Sequence, residues 1–259
     1  MTFAFHPIAL LAAAALASPT ADSPPPGLLG TWEVVRVEVD RADQMRWEVP
    51  PQDPQFLNRE LVISRTEARF DMDTETCRRP AWRPVVVTWG ELFAKGFRRP
   101  EGGGRRTRPT PADFEFDVKS RDQATVYALC PGKRLKGSDL WLEAEWVVLL
   151  APGTLVMHRD SQVLLVFERR ASDARPRASF PCEKAASPTE KAICGSFDLA
   201  GWDRSVAEAY RQALHRNREH QETVRDEQKA WLKNRDACGD RVSCIDELLW
   251  RRVEDLTQD

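Results

Sequence analysis

The chain predicts a β-domain followed by an α-domain: an antiparallel β-barrel over 30–169, then a small disulfide-stapled helical domain over 180–259. Three observations lead there. Short apolar runs broken by turn residues fill the first part. Apolar residues at three- and four-residue steps fill the last part. A polar, Pro-containing stretch, 170–179, separates the two and has the composition of a linker.

Composition sets the outer bounds. The 259 residues suit one large or two smaller domains. With 38 Lys and Arg against 40 Asp and Glu, the net charge of -2 gives no global reason to expect a nucleic-acid partner. Charged residues make up 30% of the chain, and no apolar run of about 18 residues follows the N-terminal segment, which excludes a polytopic membrane protein. Nine Trp and eleven Phe supply bulky apolar groups that a wholly disordered chain lacks.

Residues 1–17 read MTFAFHPIALLAAAALA and end on Ala15-Leu16-Ala17, the small-x-small pattern of a cleavage site. The run is too short to span a bilayer and has no amphipathic period. It is therefore expected to be an export signal, although His6 stands where Lys or Arg is usual. No cysteine follows it to carry a lipid anchor. A polar, Pro-rich leader over 18–29 comes next, and the mature protein is expected in the periplasm or secreted.

From Gly30 to Arg169 the pattern is that of strands. Trp32 to Val39 alternates apolar and charged residues over part of its length. The runs 61–63, 68–70, 85–87, 114–118 and 124–128 follow. Trp146 to Leu150 meets Pro152-Gly153, a tight-turn pair, and Thr154 to His158 meets Arg159-Asp160-Ser161. Gln162 to Phe167 closes the series. Eight or nine short strands with hairpin connections predict an antiparallel barrel or sandwich.

After residue 179 the period changes. Ser187-Pro188-Thr189-Glu190 is a capping box with Pro at the first helical position. Leu199, Trp202, Val206, Tyr210, Ala213 and Leu214 form one apolar stripe. Val224, Gln228, Trp231 and Leu232 mark another helix. Val242, Ile245, Leu249 and Val253 mark the last, after Gly239-Asp240.

Six cysteines in an exported chain suggest disulfides, and six allow about 15 connectivities. Cys77 and Cys130 lie in the first two-thirds; Cys182, Cys194, Cys238 and Cys244 cluster at the end. Zinc is disfavoured because no C-x-x-C occurs and no H-x-x-x-H lies near the cysteines. Cys238 and Cys244 flank a turn, a separation that can bring Cα atoms to about 5.5 Å. Cys182 and Cys194 are placed to pin the entry segment to the first helix. The connectivity among these four stays open on spacing alone.

Three segments of the helical part have a familiar form: Ser179 to Cys194, Leu199-Ala200-Gly201-Trp202-Asp203 with Ala207 to Tyr210, and Glu227 to Gly239 followed by Cys244. Together they resemble the LprI-like lysozyme-inhibitor domain over about 180–256, a small cysteine-containing helical domain of exported bacterial proteins. The string Gln228, Trp231, Leu232, Arg235, Asp236, Cys238 carries the resemblance most specifically. The motif residues read as scaffold: a Trp at helical spacing from Val224 is usually core, and Arg235-Asp236 suits a helix end held by hydrogen bonds. The resemblance implies lysozyme, or another peptidoglycan hydrolase, as partner.

Gly30-Thr31-Trp32 before a strand is similar to the opening G-x-W of lipocalin-like barrels. A barrel of about eight strands either holds a small apolar ligand or fills with its own side chains. The long basic loop from Arg98 to Pro111, with Arg99, Arg105, Arg106 and Arg108 around three glycines, is unusual between barrel strands. It reads as a solvated loop more readily than as an anion-binding one.

No catalytic constellation is present. G-x-S-x-G, Walker and H-E-x-x-H motifs are missing from the chain. Asp71 to Glu75 opens like a calcium loop, but Thr76 replaces the glycine its turn requires and Trp82 stands where the bidentate Glu belongs. Asp226 and Glu227 are helix neighbours, pointing about 100° apart, and cannot flank one bond. No cofactor and no metal are expected, and the protein reads as a non-enzyme. From Phe180 onward 16 acidic residues face 13 basic ones, a net of -3. Glu219, Glu222, Asp226 and Glu227 concentrate that charge and, with Asp240 in the following turn, are the candidate partner-binding residues. Acid at a helix start is also favoured by the helix dipole. Two functions fit: inhibition of a cell-wall hydrolase by the helical domain, or ligand binding by the barrel with the helices as adaptor.

Overall fold

The computed structural model describes residues 24–42, 49–73, 76–78, 80, 82, 84–97, 108–129, 145–159 and 163–258. The expected export signal, Cys130, and Arg98, Arg99, Arg105 and Arg106 of the basic loop lie outside these residues. The first part is a nine-stranded antiparallel sheet curled into a half-barrel, in the order β4-β3-β2-β1-β9-β8-β7-β6-β5. Its strands are β1 (Gly30–Val39), β2 (Glu60–Ile63), β3 (Glu67–Phe70), β4 (Cys77–Arg78), β5 (Pro84–Thr88), β6 (Gln123–Ala128), β7 (Trp146–Ala151), β8 (Thr154–Arg159) and β9 (Val163–Arg169). Strands β7 and β8 join through Pro152-Gly153, where Gly153 takes a φ of 89° that an L-residue seldom adopts. Strands β4 and β5 end the order, so the described ladder does not close.

Both faces of the central strands are buried, because successive side chains point to opposite faces. On β9, Val163, Leu165 and Phe167 join one cluster and Leu164 and Val166 the other. The first cluster packs Trp32, Phe70, Trp82, Met157 and Phe167 against one face of the sheet. Trp32 is fully buried and donates from Nε1 to Leu28 O at 2.9 Å. Trp82, 2% exposed, is a core residue of this cluster.

A helix, α1 (Trp89–Gly96), covers the second face. The sequence reading overlooked it, although Thr88 and Glu91 form a capping box that marks its start. The strand expected over 114–118 is corrected as well. Pro111–Phe114 is a 3-10 turn, with Thr110 and Asp113 in a capping box and Glu115 left-handed at φ 52°. Phe114 and Phe116 alternate because both pack against Phe93 of α1, not because the backbone is extended in a ladder.

The helical part comprises a 3-10 turn (Cys182–Lys184), α2 (Pro188–Gly195), α3 (Phe197–Arg216), α4 (Gln221–Asp236) and α5 (Val242–Gln258). Leu199, Val206, Ala209 and Ala213 of α3 meet Ile245, Leu249, Val253 and Leu256 of α5 in one core. Disulfides join Cys182 to Cys194 and Cys238 to Cys244, each with Cα atoms 5.7 Å apart. Cys77 is also disulfide-bonded. No helix among the described residues is long and apolar enough to cross a membrane.

Candidate functional site

The helical domain is fixed from within by its motif residues. Arg235, buried near the end of α4, donates from Nε and Nη2 to Asp236 Oδ1 at 3.0 and 2.8 Å. Its Nη1 lies 3.5 Å from the buried carboxylate of Asp203 on α3. Asp203 in turn accepts from Ser179 N at 2.7 Å, which ties the incoming chain to α3. Trp231 is half-buried beneath the Arg235 guanidinium and donates to Leu248 O at 3.3 Å. Gln228 accepts from Arg252 Nε at 3.0 Å, and Leu232 is half-buried. Each of these side chains except Leu232 is engaged in a bond between helices or at a helix end.

The turn between α4 and α5 is a small closed loop. Gly239 takes φ 63°, with nothing within 4 Å of where a Cβ would stand. Thr189 Oγ1 of α2 donates to Gly239 O at 2.7 Å and holds the loop from behind. Arg241 curls back to donate to Cys238 O at 3.0 Å, placing a cation at the C-terminus of α4, where the helix dipole favours it. Asp240, Arg241, Val242 and Ser243 are exposed, and Val242 is 57% exposed, with the Cys238–Cys244 bridge closing the loop behind them.

The acidic candidates are all on the surface, but they are not equivalent. Glu222 pairs with Arg225 at 2.8 Å and Asp226 with Lys229 at 2.9 Å, each one turn along the same helix. Among the described residues, Glu219, Glu227 and Asp240 have no side-chain partner. The structure therefore divides the five: two carboxylates are locally neutralised and three face solvent unpaired. Among the described residues no group of three His, Cys, Asp or Glu side chains is placed to hold a metal ion.

One region that the sequence did not announce joins the two parts. Segment 52–59 runs beside β1, with Asn58 N donating to Val34 O and Val34 N to Arg59 O, both at 2.9 Å. It presents Asn58 and Arg59 to α3. Arg59 is 1% exposed; its guanidinium stacks 3.4 Å over the Trp202 ring and lies 3.6 Å from Asp198 and 3.8 Å from Asp71. Ser205 donates to Leu57 O at 2.8 Å, Arg204 Nε to Asn58 Oδ1 at 2.9 Å, and Gln212 to Gln52 O at 3.1 Å. From the last turn of α5, Thr257 accepts from Gln55 at 3.2 Å. Burial pushes the Asp71 carboxyl up to about 6, against the pull of Arg59, and burial also raises Asp198 and Asp246. The face of α3 that meets the sheet is thus occupied, while α4 and the 238–244 loop remain open.

Comparison with known proteins bears on the helical part. Residues 182–256 match the family model described as lysozyme inhibitor LprI. No curated protein and no solved structure matches the chain.

Proposed function

We propose that this is an exported, non-enzymatic protein whose helical domain binds and blocks lysozyme or a related cell-wall hydrolase. The observation that carries this reading is the LprI domain at 182–256. The closed 238–244 loop is the element we assign to the partner. It is small, held by a disulfide and by Thr189, and offers an apolar side chain, Val242, beside an unpaired carboxylate, Asp240. A pre-formed projection loses little entropy on entering a cleft. Glu227 on α4 and Glu219 in the turn before α4 add unpaired negative charge, which would speed capture of a basic enzyme.

The test is turnover of a c-type lysozyme by increasing amounts of the mature chain, with Val242→Glu and Asp240→Lys beside it. Inhibition by the wild type that weakens about tenfold or more in both variants, with unchanged melting temperatures, is expected. Undiminished lysozyme turnover at high molar excess of the wild type would overturn the choice of enzyme. Inhibition retained in full by both variants would move the contact away from this loop.

A further inference from the structure

A groove of about 280 Å³ lies where the sheet meets the helical domain. Its walls come from β1, from the end of β9, from the segment that follows it, and from the start of α3. Five arginines line it: Arg169, Arg170, Arg175, Arg177 and Arg204. Two lining glutamates, Glu33 and Glu168, oppose them and Glu60 pairs with Arg170, leaving two positive charges in excess.

The arginines differ in what they already do. Arg169 lies over the Trp32 ring and donates to the carbonyls of Gly27 and Leu29. Arg170 pairs with Glu33 and Glu60 and lies 3.8 Å over the Phe197 ring. Arg204 pairs with Glu33 at 2.9 Å and donates to the carbonyl of Arg177. These three are positioned by the fold. Among the described residues, the guanidiniums of Arg175 and Arg177 have neither an ion pair nor a hydrogen bond. Two unspent fork-shaped donors therefore border a concave site whose other cations are held in place. Val35, Ala174 and Phe197 give the same groove an apolar part.

We infer that this groove binds a small organic polyanion, one that carries two or more carboxylate or phosphate groups on a carbon skeleton. Arg175 and Arg177 supply the new charge-assisted bonds, since guanidinium forks match both groups in two-point geometry. The fixed arginines supply field. A volume near that of a small-molecule site, and smaller than a polymer would need, sets the ligand size. The skeleton packs on Phe197 and Val35. The site is separate from the 238–244 loop and does not depend on which enzyme, if any, the helical domain inhibits.

The test is calorimetric titration of the mature full chain with citrate and, separately, with fructose 1,6-bisphosphate, at low and then raised salt. Binding of at least one, weakened by salt, is expected, and the two arms tell carboxylate from phosphate preference. Arg175→Ala together with Arg177→Ala should lower affinity at least tenfold with an unchanged melting temperature, since both side chains are exposed. Glu168→Gln removes an opposing charge that has no partner among the described residues and should tighten binding severalfold. No heat with either probe up to about 10 mM would overturn the inference. So would a double variant that binds as the wild type does.

Discussion

Asp71 shows how a single side chain couples the joint to pH. It is buried beside Arg59, and burial lifts its carboxyl from an ordinary 3.8 to about 6. The folded protein holds this proton more tightly than the unfolded chain does. The resulting stabilisation is fully present below about 3.8 and is lost as pH rises through about 6. Its size is about 3 kcal/mol, and Asp198 and Asp246 shift in the same direction. Urea unfolding followed between about pH 4 and 7 should therefore show a component that weakens with rising pH, and Asp71→Asn should remove most of it. An identical pH slope in the variant would refute the assignment. None of this was legible in the sequence, where Asp71 stood out only as the first residue of a failed calcium loop. Arg59 reaches it across the β2–β3 hairpin, and Asp198 is brought to it by chain folding over a long separation. Arg235 was better marked: its motif pointed to a helix-end role, and its bonds to Asp236 are local.

Among the elements, α2 and the 238–244 loop are the most self-determined. Ser187 accepts from Glu190 N, and Glu190 accepts from the backbone of Ser187 and Ala186. Those bonds hold the Glu190 carboxyl below its ordinary value. Ser187→Ala should cost about 1 kcal/mol in thermal or urea unfolding. In the loop, Cys238→Ser with Cys244→Ser should cost about 2 kcal/mol, because the closed ring is short and little unfolded-chain entropy is removed by it. If the loop carries inhibition, that double variant should lose more inhibitory strength than its stability loss explains, measured well below its melting temperature. The helices were legible because capping and apolar spacing act within a few residues. The same local signal, Thr88 to Glu91, marks α1, yet α1 lies between runs of strand-like residues and was read over. The 114–118 segment misled for the opposite reason, since two Phe one residue apart line a wall against α1 from a turn and not from a strand.

Across the whole molecule, the sheet and the helices are docked through Arg59, Asn58, Arg204 and Ser205, whatever linker character 170–179 has by composition. Arg170 N also extends the β1–β9 ladder by donating to Thr31 O at 2.8 Å. The two parts should accordingly unfold in one calorimetric transition. Gly201 is the place to test this, because a Cβ there would stand 2.8 Å from Asn58 O and 3.2 Å from Arg59 Nη2. Gly201→Ala should lower stability by about 1–3 kcal/mol and separate the transition into two, while the inhibition proposed for the 238–244 loop should persist. A single transition at the wild-type temperature would show that the joint tolerates the change.

The sequence by itself determined the order of β before α, the helix starts, the cysteine grouping and the LprI signature, because turns, caps and spacing are written in neighbouring residues. Only the tertiary structure decided that the described sheet is a half-barrel packed on both faces, and that α3 is covered where it meets Arg59. It alone placed five arginines around one groove and left three of the five acidic candidates unpaired. Those outcomes depend on which distant segments come together and which side chains then find a partner, and no local pattern encodes that.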